Sequence, residues 1–288
     1  MSLSPAERSY LYDSLIHTPP IRPDSRSQHQ YRPLEAKTSF LPSSNGSARI
    51  RLADGSECIV SIKAKVVLTS AEPNLIDCDV DVVGYRDDSN FVTNLRFHLL
   101  NLLTQNFPSE VLKLTQKYSF KLYIDCIIIS HSSYPLSLIS LTCYLALKTT
   151  RLPLLISEVN DEEIAEQPTF SDDWDNSTFI NQKFPEFQPP IIIGLGVIGS
   201  NLIFDPSIEE EQVLENGLMI SFYSNKVITP VANINFCINS NNSNFKGMNS
   251  TRLVQAMNLC NKYCPMIIKA LDTLIEQDEE DAADASIF

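Results

Sequence analysis

The sequence lacks any apolar run that approaches the about 18–20 residues needed by a membrane-spanning helix. We therefore expect no membrane insertion. Residues 1–20 contain Glu7 and Asp13 and no long apolar stretch, so we also expect no secretory signal. Basic residues are scarce, with 22 Lys and Arg against 35 Asp and Glu and a formal net charge of −13. Because a free-standing nucleic-acid-binding protein needs a basic face, the composition argues against that class.

Paired metal-binding motifs are absent as well. The four histidines form no H-E-x-x-H motif, and the seven cysteines form no C-x-x-C. Cys260 and Cys264 share a predicted helix face, but two thiols without further ligands do not make a zinc site. Asp77, Asp79 and Asp81 alternate along a predicted strand, which is typical of a solvated face. We therefore expect no metal site, and we expect the cysteines to be buried as small apolar side chains.

The acidic surplus is confined to two segments. Residues 158–186 contain nine carboxylates and one base, and residues 276–288 contain six carboxylates and no base. The rest of the chain has 20 acids and 21 bases. Both acidic segments have the composition of a loop or a tail, so we predict a folded body that is close to neutral.

The first half of the chain shows strand patterns followed by helix patterns. A capping box formed by Ser4 and Glu7 predicts a helix that ends near Ile16. Two alternating patterns joined by Asp54-Gly55 predict a hairpin. The predicted strands lie at 48–52, 58–66, 76–82 and 120–129, and the predicted helices at 91–103 and around 138–145.

The second half repeats this plan. Strands are predicted between 191 and 204 and between 218 and 230, and a long helix from about Ser250 to Ile275, interrupted near Pro265. We predict an α+β fold of two β-α halves, with mixed sheets packed on helices. The predicted units are an N-terminal helix and connector (1–30), a first half (31–157), an acidic variable segment (158–190), a second half (191–275) and an acidic tail (276–288).

A glycine motif at Gly194–Gly199 matches the dinucleotide-binding pattern G-x-G-x-x-G. That pattern binds a pyrophosphate only when a helix follows the third glycine. Here Leu202–Phe204 reads as a strand and Pro206 ends it. A β-hairpin that turns at Gly199-Ser200-Asn201 is favoured, and a nucleotide-binding oxidoreductase is the alternative.

Several short motifs, taken in their order and spacing, resemble the RNase PH family. They are R-P-D-S-R at 22–26, Y-R-P at 31–33, N-G-S-A at 45–48, the central strand at 122–127, and F-D-P at 204–206 followed by E-E-E at 209–211. Ser25 replaces a glycine of the family pattern. The chain is most similar to the inactive-partner class of ring subunits of the eukaryotic RNA exosome, in particular to fungal members that process ribosomal RNA.

The resemblance implies a fold built for phosphorolysis, in which phosphate attacks the 3′-terminal phosphodiester of RNA and releases a nucleoside diphosphate. In active members a G-G-T-R turn follows the central strand. The matching residues are 131–134, and Tyr134 replaces the arginine. Active members also have an aspartate six residues after an acidic pair, which matches Gly217 after Glu210 and Glu211. The resemblance therefore implies no catalytic residues and no cofactor, and an active phosphate-dependent 3′-to-5′ exoribonuclease is the alternative.

The resemblance also implies partners. They are other RNase PH-like ring subunits, exosome cap subunits and single-stranded RNA in the assembled channel, in the nucleus, nucleolus and cytoplasm. Arg86 and Arg96 lie where an inactive partner lends arginines to the RNA path, so they are the candidate RNA-binding residues. The alternative is that both are solvated arginines, one just before and one within the predicted helix 91–103.

Overall fold

A computed structural model of the chain describes residues 3–156, 168–171, 173–185, 187–236 and 246–285. The predicted acidic variable segment is therefore described only in part, and Cys237 lies outside the described residues. Within these ranges no helix is both long enough and apolar enough to cross a membrane.

The first half of the chain forms a five-stranded sheet in the order β1-β2-β3-β5-β4. β4 is parallel to β5, and the other neighbours are antiparallel. The elements are α1 (Pro5–Ile16), β1 (Leu34–Thr38), β2 (Gly46–Leu52), β3 (Glu57–Leu68), β4 (Ile76–Val82), α2 (Asn90–Asn106), β5 (Tyr118–Ser130) and α3 (Leu136–Lys148).

The second half forms a four-stranded antiparallel sheet in the order β11-β10-β8-β9. Short elements precede it, namely β6 (Arg151–Leu152), β7 (Thr178–Phe179) and α4 (Ile180–Lys183). The remaining elements are β8 (Ile191–Ile198), β9 (Asn201–Phe204), α5 (Ile208–Glu211), β10 (Asn216–Tyr223), β11 (Lys226–Ile234) and α6 (Ser250–Ala285). The predicted α+β fold with mixed sheets and helices is confirmed.

Local sequence patterns explain the first elements. Ser4 and Glu7 form the predicted capping box of α1. The β2–β3 hairpin turns at Asp54-Gly55, where Gly55 has φ +84°, a left-handed conformation that favours glycine. β4 buries every second residue and exposes the aspartates between them, so the predicted solvated face is confirmed.

The α3 helix joins the two halves. Eleven of its thirteen residues are buried, because it contacts β2 and β3 on one side and β8 on the other. A helix that is apolar on nearly all sides is stable in this position only when protein surrounds it. α3 therefore fixes the position of the second sheet relative to the first.

The glycine motif at Gly194–Gly199 forms part of a hairpin. β8 pairs with β9, and Ile198 faces Asn201 across the turn at Gly199-Ser200. A Cβ at Gly194 would lie 2.9 Å from Ser137 Oγ of α3, so this glycine allows the strand to pack closely on the helix. The dinucleotide-binding interpretation is wrong, because a strand follows the third glycine, and the predicted hairpin is confirmed.

The α6 helix corrects another prediction. We predicted an interruption near Pro265 and an end near Ile275, but the helix is continuous from Ser250 to Ala285 and includes ten residues of the predicted acidic tail. Proline removes one backbone hydrogen bond. The packing of one helix face against the core offsets this loss, and its buried residues are Ala256, Cys260, Cys264, Ile268 and Leu271.

Candidate functional site

Three arginines of the connector between α1 and β1 meet two carboxylates of the second half. Arg22, Arg26, Arg32, Asp205 and Glu210 are each at most 9% exposed. Arg22 binds Glu210 through two hydrogen bonds of 2.7 Å, from Nε to Oε1 and from Nη2 to Oε2. Asp205 Oδ2 accepts hydrogen bonds from Arg26 Nη1 at 3.1 Å and from Arg32 Nε at 2.9 Å. We call these five residues the arginine–carboxylate cluster.

Backbone carbonyl groups use most of the remaining donors of the cluster. Arg22 Nη1 donates to the Phe204 carbonyl at 3.1 Å, and Arg22 Nη2 donates to the Asp205 carbonyl at 3.0 Å. Arg26 Nη2 donates to the same Asp205 carbonyl at 3.1 Å. Asp205 has φ +47°, an uncommon conformation for a residue with a side chain, and these hydrogen bonds hold it there. The motif arginines therefore fasten the connector to the second sheet.

Arg32 is the one cluster arginine that also reaches the first half. Its Nη2 donates to Ser133 Oγ at 2.8 Å, and its Nη1 forms an ion pair with Asp54. Burial alone would lower the pKa of Arg32, but the hydrogen bond and charge of Asp205 outweigh burial and raise that pKa. The Arg32 guanidinium is permanently charged, and its charge is neutralised by neighbouring carboxylates.

The acidic run after Pro206 divides into two roles. Ser207 caps α5 and forms a capping box with Glu210. Glu211 instead faces the cavity residue Tyr134, and its Oε1 accepts a hydrogen bond from the Tyr134 backbone N–H at 2.8 Å. Burial raises the pKa of Glu211 well above its ordinary value. Glu211 is therefore held in an environment that favours its neutral form.

A small cavity lies where the resemblance to the RNase PH family places the catalytic turn. Its volume is about 30 Å³, and His131, Ser133, Tyr134 and Glu211 contribute to its lining. A water molecule needs about 10–15 Å³ measured in this way. The cavity therefore has room for about two water molecules and is too small for phosphate together with an RNA 3′ end.

Aromatic side chains fill the space around Tyr134. Its ring packs against Phe91 and Phe236, with centroid distances of 5.9 and 5.6 Å. Burial, followed by the charge of Glu211, raises the pKa of Tyr134 to about 12. Tyr134 is therefore a neutral packing residue at the position where the resemblance places the arginine of active members.

Gly217, where the resemblance places the aspartate of active members, has no room for a side chain. A Cβ at Gly217 would lie 2.3 Å from the Ile234 carbonyl oxygen and 2.8 Å from the Phe236 ring. Local sequence patterns did not identify Phe236, because none of them marks a residue after β11 as a neighbour of a glycine near the start of β10. Gly217 therefore allows the Phe236 ring to pack closely on β10, and Phe236 in turn contributes to the lining of the cavity.

The two candidate RNA-binding arginines lie apart from the cavity, and each has its own carboxylate partner. Arg86 follows β4, its side chain is 86% exposed, and its Nη2 lies 3.0 Å from Asp88 Oδ2. Arg96 lies on α2, its side chain is 35% exposed, and it forms an ion pair with Asp79 of β4. Within the described ranges, no group of three or more His, Cys, Asp or Glu side chains is arranged to hold a metal ion.

Comparisons with known proteins agree with this architecture. Residues 30–153 match the 3′ exoribonuclease family, domain 1 (RNase PH). Exosome complex component RRP42 of Saccharomyces cerevisiae is 45% identical over 276 residues, which cover 95% of this chain and 100% of the relative. Exosome complex component rrp42 of Schizosaccharomyces pombe is 32% identical over 235 residues, which cover 75% of this chain and 76% of the relative.

A solved structure supports the fold. A chain of the Archaeoglobus fulgidus exosome with RNA bound to the active site has a TM-score of 0.66 at 15% identity, covering 92% of this chain and 97% of that chain. The resemblance to the RNase PH family inferred from the motifs is confirmed. The chain belongs to the family of exosome complex component RRP42, whose fold is that of the RNase PH 3′ exoribonucleases.

Proposed function

We propose that this chain is a non-catalytic ring subunit of the RNA exosome. In this role it supports 3′-to-5′ RNA processing and degradation, including ribosomal RNA maturation, by forming part of the wall of the RNA-conducting channel. The observation that carries the proposal is the filled catalytic position, where Tyr134 and Phe236 line a cavity of about 30 Å³ and Gly217 has no room for a side chain. The relationship to RRP42 proteins supports the assembly.

The electrostatics of the cavity also support an inactive subunit. Phosphorolysis brings two anions together, so the site must supply cationic and backbone donors that are not already occupied. Arg32 lines the cavity, but its donors bind Asp205, Asp54 and Ser133. Loss of both a cation and a catalytic acid is expected to reduce the rate by several orders of magnitude.

A phosphorolysis assay tests the inactivity. The purified full-length chain is incubated with labelled single-stranded RNA and inorganic phosphate, and an active RNase PH enzyme serves as the positive control. We expect no nucleoside diphosphate from this chain. Phosphate-dependent release of nucleoside diphosphates would overturn the proposal and would favour the active exoribonuclease.

The proposed partners are other RNase PH-like ring subunits, exosome cap subunits and single-stranded RNA in the assembled channel. Without residues 158–186 and 276–288 the chain has 20 acids and 21 bases, so it depends on its neighbours for most of the cationic channel surface. The proposed locations are the nucleus, the nucleolus and the cytoplasm. A fluorescent fusion that is absent from the nucleus would contradict this part of the proposal.

Direct RNA contact is proposed for Arg86 and Arg96. Each arginine must exchange a carboxylate partner, Asp88 or Asp79, for an RNA phosphate. The double variant Arg86→Gln, Arg96→Gln in the assembled complex should reduce the salt dependence of RNA binding by about one slope unit per lost contact. Lys269→Gln on α6 is the matched control, because it removes one exposed charge elsewhere. An unchanged salt dependence in the double variant would rule out both contacts.

A further inference from the structure

Three lysines and one tyrosine meet on the outer face of the first sheet. Lys65 of β3 and Lys121 of β5 are direct partners in the strand register, and Lys63 is the partner of Tyr123. The Nζ atoms of Lys65 and Lys121 lie 5.0 and 5.1 Å from the centroid of the Tyr123 ring. We call Lys63, Lys65, Lys121 and Tyr123 the lysine–tyrosine cluster.

This cluster breaks an ordinary rule for the surface of a sheet. Like charges that face each other on neighbouring strands destabilise the pair, and Lys65 faces Lys121. The Tyr123 ring holds the two ammonium groups on one side chain, because the face of an aromatic ring attracts cations. A local rule that is broken without an internal gain in stability is typical of a functional site, and a group of cations is suited to an anion.

Carboxylates neutralise only one of the three lysines. Lys121 Nζ lies 2.5 Å from Glu72 Oε2 and 4.0 Å from Asp77 Oδ2. Lys63 and Lys65 are exposed, and in the described part of the chain neither has a carboxylate oxygen within 4.0 Å. The charges of these two lysines are therefore available to an anionic ligand.

The surroundings of the cluster direct an anion to the β3 side of Tyr123. On the other side Asp77 lies opposite Tyr123 on β4, and Asp125 follows Tyr123 on the same face of β5. Beside the two exposed lysines, β2 begins only at Gly46 and does not pair with them. The residues from 38 to 48, which lead into β2, include no charged side chain, so they do not compete for the two lysines.

The chemistry of the cluster favours nucleic acid over protein as the ligand. Lysine is depleted in protein–protein interfaces, whereas lysine is one of the main contacts to nucleic-acid phosphates. Lys63 and Lys65 are two residues apart on one strand, so their Cα atoms are about 6.5–7 Å apart. This spacing suits two successive phosphates of one extended strand.

We infer that the lysine–tyrosine cluster binds the phosphate backbone of single-stranded RNA without sequence preference. Lys63 and Lys65 contact the phosphates, and Tyr123 positions Lys65. The site is separate from the filled catalytic position and from Arg86 and Arg96. The inference deepens the proposed function and rests on it, because the assembled exosome brings RNA to this chain.

The salt dependence of RNA binding tests the inference in the assembled complex. The variant Lys63→Gln, Lys65→Gln removes two charges at exposed positions, so the fold should be retained. Binding of a labelled oligouridylate is measured between about 50 and 200 mM salt. We expect the slope of log K against log salt to fall by about 1.4–2, which is about 0.7–1 for each lost phosphate contact.

A matched control removes two lysine charges elsewhere. Lys226→Gln, Lys269→Gln changes two exposed lysines of the second half, and we expect it to leave the slope unchanged. An equal slope in both double variants would overturn the inference.

Variants of the tyrosine test its positioning role. Tyr123→Phe keeps the aromatic face and should bind RNA as the parent does. Tyr123→Leu keeps an apolar side chain but removes the cation–π contacts, so we expect the RNA affinity at low salt to fall at least twofold. Equal affinities of the Leu and Phe variants would overturn the role of Tyr123.

Two further outcomes overturn defined parts of the account. Loss of a neighbouring subunit from the Lys63→Gln, Lys65→Gln complex, with unchanged RNA affinity, would identify a protein contact, overturn the RNA inference and leave the proposed function intact. A parent chain that does not co-purify with exosome subunits would overturn the proposed function and, with it, this inference.

Discussion

Replacing Arg22 by methionine should remove the buried Arg22–Glu210 ion pair of the arginine–carboxylate cluster and lower the free energy of unfolding. Both side chains of the Arg22–Glu210 pair are 0% exposed, and two hydrogen bonds of 2.7 Å join them. Removal of one partner from a buried ion pair typically costs about 3–5 kcal/mol, because it leaves the other charge without compensation. Arg22 also donates to the Phe204 and Asp205 carbonyl groups, so the loss should lie at the upper end of that range.

A double-mutant cycle separates the ion pair from general damage. Glu210→Gln alone removes one charge from a charge-assisted hydrogen-bonded pair and should cost about 1.5–3 kcal/mol. In the Arg22→Met background, the Glu210 carboxylate has lost its main cation and keeps the Ser207 N–H at 2.8 Å and Arg26 Nη2 at 4.0 Å, so the same change should cost less than in the parent. The free energies of unfolding are measured by urea denaturation followed by circular dichroism, with the half-buried Arg252→Met as a control expected to change stability by at most about 0.5 kcal/mol. An equal cost of Glu210→Gln in both backgrounds would refute the reasoning.

Three further predictions concern the cavity and the end of α6. The raised pKa of Glu211 means that its folded-state stabilisation is present below its ordinary pKa of 4.5 and is lost as the pH rises through the folded-state value. Glu211→Gln should therefore gain stability relative to the parent as the pH rises, and parallel urea midpoints across pH 5–9 would contradict this. Gly217→Ala should lower the free energy of unfolding by about 1–3 kcal/mol by overpacking. Gly247→Ala is the control and should not lower it, because nothing lies within 4 Å of a Cβ at Gly247. Equal unfolding midpoints for the two variants would contradict the close packing at Gly217. Asp278 accepts hydrogen bonds from the Thr38 N–H and hydroxyl at 2.6 and 2.7 Å. Asp278→Ala should therefore speed amide hydrogen exchange at Thr38. An unchanged exchange rate would show that this contact does not protect the edge strand β1.

Local patterns were sufficient to predict much of the fold. The capping box at Ser4, the Asp54-Gly55 turn and the alternation of β4 each depend on residues close together in the chain, so the sequence records them directly. The order of the motifs was sufficient to infer the family. The hairpin at Gly199 was predicted because a strand, and not a helix, follows the glycines.

Long-range contacts explain what the sequence did not reveal. The continuity of α6 through Pro265 depends on a buried face whose partners lie in other elements. The close packing at Gly217 depends on Phe236, which is distant from Tyr134 in the chain but packs against its ring. Arg22 of the R-P-D-S-R motif pairs with Glu210, which lies 188 residues later in the chain. Periodicity identifies which face a residue occupies, but it does not identify the partner across the core.

The most direct test of the central claim is native mass spectrometry of the complex purified through the tagged full-length chain. We predict a multi-subunit exosome that contains one copy of this chain in a ring with other RNase PH-like subunits. Recovery of the chain only as a monomer, or only with copies of itself, would contradict the claim that it is a ring subunit.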